Sequence, residues 1–170
     1  IVAGIGASTD SGVNRVRLEG DDFSATASWN LLHNFVHSAE KLNKEVHVGN
    51  IFSSDLFYDP RGIARFENLA SMGILAVEME AAELYNLAAR YSRRALAVLT
   101  VSDHLQTGET LPAEQREKSF GRMIEVALEA AFSSLSVVTS SGVSLLLTTS
   151  ILRLISFSIA SIYLPSSLEN

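Results

Sequence analysis

From residue 1 to about residue 132, short apolar runs alternate with stretches in which apolar residues recur every three or four positions. The first pattern suits strands and the second suits one face of a helix. Ile1 to Ile5 reads as a buried strand, followed by a Gly-, Ser- and Asp-rich loop to about Phe23. Leu31, Leu32, Phe35, Val36, Ala39 and Leu42 mark an amphipathic helix, with Ser28 placed to cap its start. Val46 to Phe52 reads as a strand, Asp59-Pro60-Arg61-Gly62 as a turn, and Ile63 to Met72 as a short helix. Ile74 to Glu78 is a short apolar run ending in an acid, and Ala81 to Tyr91 continues as a helix. Ala95 to Ser102 is the clearest buried strand, because an uninterrupted uncharged run needs both faces covered. Pro112 suits the first turn of a helix whose apolar face is Phe120, Met123, Ile124, Ala127, Leu128 and Ala131. Strands alternating with helices predict an α/β layered fold.

The pattern breaks near Phe132. Residues 133–170 carry only Arg153 and Glu169 as charges and are rich in Ser and Thr, so the chain divides into a 1–132 domain and a 133–170 Ser/Leu/Ile-rich tail. Within the tail, Val143 to Leu164 is long enough to span a bilayer of roughly 30 Å. Arg153 near its middle would cost about 2.5 to 3.5 kcal/mol there, and the many hydroxyls dilute its hydrophobicity. The run therefore reads as a packed or poorly ordered extension, or a tail foreign to the domain, rather than a membrane span.

Composition narrows the chemistry. The 170 residues are 47% hydrophobic and 19% charged, a globular balance. A formal net charge of −6 gives no overall positive field for nucleic acid. With no cysteine, disulfides, thiolate metal sites and thiol nucleophiles are excluded. The opening Ile-Val-Ala-Gly-Ile-Gly lacks the basic region of a signal peptide and reads as a strand entered partway through a protein. Gly4 and Gly6 lack the third glycine of a dinucleotide fingerprint, and His33 and His37 lack the glutamate of a zinc-protease helix.

Ligands of α/β sheets bind beyond the carboxyl ends of strands. Three polar groups follow apolar runs: Ser53-Ser54-Asp55-Leu56-Phe57-Tyr58, Glu78-Met79-Glu80 and Ser102-Asp103-His104. Two carboxylates flanking a thioether at a strand-to-helix junction suit a ribose, since a carboxylate accepts from a vicinal diol and Met offers a soft apolar surface. They equally suit two solvated acids at a helix N-terminus. Ser102, Asp103 and His104 are adjacent in sequence, so their side chains diverge and form no hydrolytic triad. Asp103 alone, at the end of a buried strand, suits either an acid whose pKa is raised by desolvation or a loop-stabilising cap. Arg116, thirteen residues on, is either a surface cation or one that the loop folds back toward Asp103.

The runs Gly6 to Arg17, Val48 to Tyr58, Gly73 to Ala82 and Thr100 to His104 resemble, in order and spacing, the bacterial hexameric purine nucleoside phosphorylases. The likeness covers residues 1 to about 132 and matches the C-terminal portion of the family. It implies a three-layer α/β/α sandwich around a mixed central sheet, N-terminally truncated. It also implies phosphorolysis of purine nucleosides to free base and ribose 1-phosphate in a cytoplasmic, homohexameric salvage enzyme. Inorganic phosphate is the co-substrate, and no metal, organic cofactor, nucleic acid or membrane is involved. By the same resemblance, Asp103 protonates purine N7 and Arg116 swings toward it, stabilising its anion. Phe57 stacks on the base, Val77 lines the pocket, Met79 packs under the ribose and Glu80 holds its hydroxyls, with Glu78 a weaker contributor and Ser102 a further substrate contact.

The family's glycine loop and the arginines and serine that hold phosphate precede the position matching Ile1. Their absence implies impaired phosphorolysis by these residues alone, and sheet edges left apolar and open. A nucleosidase of the same superfamily, with water replacing phosphate, and an inactive nucleoside-binding or subunit-pairing fragment remain as alternatives.

Overall fold

A computed structural model describes residues 1–105, 107–139 and 155–162. The elements are β1 (Val2–Thr9), α1 (Val13–Arg17), α2 (Trp29–Lys41), β2 (His47–Ser53), α3 (Ala64–Ser71), β3 (Ile74–Glu78), α4 (Ala81–Arg90), β4 (Leu96–His104), α5 (Ala113–Thr139) and β5 (Ile155–Ile162). Each strand and helix expected from the periodicity is present within a few residues of its expected bounds. Three features differ. The Gly-, Ser- and Asp-rich loop contains the short helix α1. Ser28 stands at the N-cap of α2 but makes no side-chain capping bond, its amide instead donating to the Ala95 carbonyl at 2.9 Å. Helix α5 continues past Phe132 to Thr139.

β1, β2 and β3 run parallel, while β4 runs antiparallel to β1. Alternation along the strands sends successive side chains to opposite faces. Val2, Ile51, Leu75, Ala76, Ala97 and Leu99 pack with Ala81, Ala82 and Tyr85 of α4. Ala3, Leu96 and Val98 pack with Leu32 and Phe35 of α2 and Met123, Val126 and Ala127 of α5. Helices thus pack against both sets of alternating side chains of a mixed sheet, an α/β fold as expected. Tyr85 fastens the layers: its hydroxyl donates to the Gly4 carbonyl at 2.5 Å and accepts the Ala97 amide at 2.9 Å, and burial pushes its pKa to about 12. Gly73, at φ +79, ends α3 in the left-handed conformation and lets the chain turn directly into β3.

The sheet has no open edge among the described strands, contrary to the expectation above. β5 pairs antiparallel with β3 and parallel with β4, closing the ring β1-β2-β3-β5-β4. Part of the Val143 to Leu164 run is therefore a strand, and its remaining residues lie outside the described ones. No described helix is long and apolar enough to cross a membrane. The register around the ring does not return to its starting point. Ser8 leads through Phe52, Val77 and Ser161 to Asp103, whereas β4 meets β1 through Leu99 and Val2. That stagger is the shear a closing sheet requires, and it decides where the end of β4 lies.

Candidate active site

A common carboxyl end for all strands, assumed in locating the polar groups, does not hold, because β4 opposes β1. The shear restores the juxtaposition by another route. Val77 pairs with Ser161, and Ser161 pairs with Asp103. Two strand spacings, roughly 10 Å, thus separate the backbones of Asp103 and Val77, and Glu78, Met79 and Glu80 follow Val77 directly.

Glu78 is 5% exposed, and both of its carboxylate oxygens are occupied. Oε1 accepts from the Ser53 hydroxyl, while Oε2 accepts the amides of Glu80 and Ala81, each at 2.7 Å. The Ser53 hydroxyl in turn accepts the Ala82 amide at 2.9 Å. Ser53 and Glu78 together satisfy three of the amides that open α4, which no helix can pair internally. Burial pushes the Glu78 carboxyl above its usual range, against the pull of these hydrogen bonds. Of the two sequence readings of Glu78, the solvated acid is corrected, because the side chain is buried and its three hydrogen bonds anchor the helix start.

Glu80 and Met79 are exposed beyond that anchor. Met79 lines a cavity of about 330 Å³ with Thr9, Ser11, Asn14, Asp55 and Glu83 among its walls. A larger cavity of about 560 Å³ along the second half of β1 shares Thr9, Ser11 and Asn14 with it, so the two form one groove. Neither lining includes Phe57, Glu80 or Asp103. Phe57 is 69% exposed at the tip of the loop after β2, its ring 4.8 Å from that of Tyr58 at 77°.

Asp103 is half-buried near the end of β4. Ser102 is buried and its hydroxyl donates to the Asp103 carboxylate. His104 Nδ1 accepts the Thr107 amide at 3.2 Å, within the following loop. That loop folds back on β4: the His104 amide reaches the Glu109 carbonyl at 2.8 Å, and the Leu111 amide reaches the Ser102 carbonyl at 2.9 Å. The start of α5 is thereby held beside the end of β4. Arg116 lies on this first turn but does not reach Asp103. Its Nε donates to the Leu111 carbonyl at 2.7 Å, so the expected pairing is absent in this conformation.

Sequence reasoning missed a cluster of charges around Asp10, which lines the larger cavity. Arg65 of α3 binds Asp59, Ser54 and Asp10, and Asp59 also binds Arg61. Arg61 beside Asp59 holds its carboxyl well below the usual range. Asp10 is also held low: burial opposes this, but the Asp55 amide and Arg65 prevail. Arg17 makes a bidentate pair with Glu83 at 2.8 and 2.6 Å, tying α1 to α4. The place of Asp10 in the Gly-, Ser- and Asp-rich loop after the first expected strand was the one visible signal. Nothing in the local pattern marked Arg65 as buried.

The family model described as the phosphorylase superfamily matches residues 4–136. The chain is 55% identical over 130 residues to a protein of Colwellia psychrerythraea named purine nucleoside phosphorylase DeoD-type, covering 76% of this chain and 55% of that one. It is 52% identical over 131 residues to the protein of that name from Aliivibrio salmonicida, covering 77% of this chain and 55% of the other. A Vibrio cholerae protein named purine nucleoside phosphorylase DeoD-type 2 is likewise 52% identical over 131 residues, with the same coverage. The chain spans about half the length of the curated relatives it matches. The family match covers most of the chain's length, and the chain belongs to the phosphorylase superfamily.

Proposed function

We propose that this chain carries the base- and ribose-binding part of an enzyme that cleaves purine nucleosides with inorganic phosphate, giving the free base and ribose 1-phosphate. The observation that carries the reading is the approach of Asp103 to the Val77–Glu80 segment, in a chain about half identical to proteins named for that activity. As the glycosidic bond breaks, positive charge grows on the sugar and the bonding electrons pass to the purine. Asp103 protonates N7, so the base leaves neutral, and a phosphate oxygen forms the new bond to the anomeric carbon. Ser102 orients Asp103. Arg116, on the adjacent turn of α5, exchanges the Leu111 carbonyl for the Asp103 anion once the proton is given.

Phe57 stacks on the base and Val77 lines its pocket, Met79 packs under the ribose, and Glu80 accepts from the sugar hydroxyls. Phosphate is the second substrate, and the chemistry calls for no metal or organic cofactor. The reading includes a homohexamer acting in cytoplasmic purine salvage. Inosine supplied with and without phosphate tests it. Ribose 1-phosphate formed only with phosphate supports the proposal; free ribose formed at the same rate without phosphate supports a nucleosidase instead.

A further inference from the structure

We infer that Arg65 is a positioning residue that closes the neck of the loop carrying Phe57 and so sets where a purine ring can stack. The inference rests on the reading that Phe57 meets the base. Phe57 and Tyr58 stand 69% and 88% exposed at the loop tip, so the tip takes its position from its two ends. One guanidinium holds both ends. Arg65 Nη1 donates to the Ser54 hydroxyl at 3.1 Å and to Asp59 Oδ2 at 2.5 Å, bracketing the residues between. Nη2 donates to Asp10, whose other oxygen accepts the Asp55 amide at 2.9 Å, which fastens the same loop to the end of β1. Within the neck, the Ser54 hydroxyl donates to the Leu56 carbonyl at 2.9 Å.

The Arg65 side chain is only 6% exposed, its guanidinium carbon lying 5.1 Å from the Phe52 ring centre and 5.5 Å from that of Phe66. A cation buried this far must be fully partnered, and the planar fork is what allows one side chain to serve two carboxylates and a hydroxyl while stacked between rings. Lysine offers one point charge and cannot hold the same set.

Coupling between Arg65 and Phe57 tests the inference. Adenosine affinity is measured by calorimetry on the full chain, Arg65→Met, Phe57→Ala and the double variant. In the parent background, Arg65→Met is expected to weaken adenosine about tenfold, within the range of coupled neighbours. In the Phe57→Ala background it is expected to change affinity by less than about twofold. A merely structural role would weaken binding equally in both backgrounds, and that result overturns the inference. Arg65→Lys, a milder change, is expected to show the same coupling at smaller amplitude and keeps the test open if Arg65→Met fails to fold. Adenosine binding with no coupling overturns this inference alone. A parent chain that binds no adenosine overturns the reading of the site and this inference with it.

Discussion

At the scale of single residues, three carboxylates that look alike in sequence do different work because their surroundings differ. Glu78 is enclosed and accepts from one hydroxyl and two amides. Glu78→Ala strands those donors and is expected to lower the unfolding free energy by about 2 kcal/mol; an unchanged urea midpoint would count against the anchoring role. Glu80, two residues on and exposed at the N-cap of α4, is free of that duty. Glu80→Ala is expected to weaken nucleosides roughly tenfold more than free purine bases, and equal losses on both would remove its ribose role. Asp103 is half-buried beside Ser102. Asp103→Asn is expected to lower kcat for natural purine nucleosides about a hundredfold or more, with little change in affinity; parent-like turnover would rule it out as the acid.

At the scale of elements, side-chain periodicity made the strands and helices legible, because burial of one face is a local property. Leu32, Phe35 and Ala39 face the sheet as the spacing of α2 requires, and β4 alternates Leu96 and Val98 against Ala97 and Leu99. Other features depend on distant partners and leave no local trace. The direction of β4, the role of Ser53 at the start of α4 and the burial of Arg65 are of this kind. Charge pairs between elements carry a pH dependence. Arg17 holds Glu83 low, and Asp59 and Asp10 are also held low. Depressed carboxylates contribute stability that is present above their unfolded pKa values and lost as pH falls through the folded ones. Glu78, raised by burial, acts in the opposite sense, contributing most at low pH and losing that contribution as pH rises. Three groups oppose one, so the thermal midpoint is expected to hold from neutrality to about pH 5 and fall below about pH 4. A midpoint unchanged down to about pH 3 would show that these pairs contribute nothing.

At the scale of the whole molecule, the site depends on how the sheet closes. Composition separated residues 133–170 from the rest, yet the backbone of Ile155–Ile162 stands between the two strands, β3 and β4, that carry the candidate residues Val77 and Asp103. Ser161→Pro removes an amide from that ladder and is expected to lower the thermal midpoint by about 4 °C, with no shift meaning that β5 does not hold the ring together. The shear of this closed sheet, not a shared strand direction, brings Asp103 toward Val77 and the acids after it. The most direct measurement of that claim is a crystal structure of the chain soaked with adenosine. A carboxylate oxygen of Asp103 is expected within about 3 Å of purine N7, with the ribose hydroxyls on Glu80. Adenosine bound against one of these residues while the other lies across the molecule would contradict it.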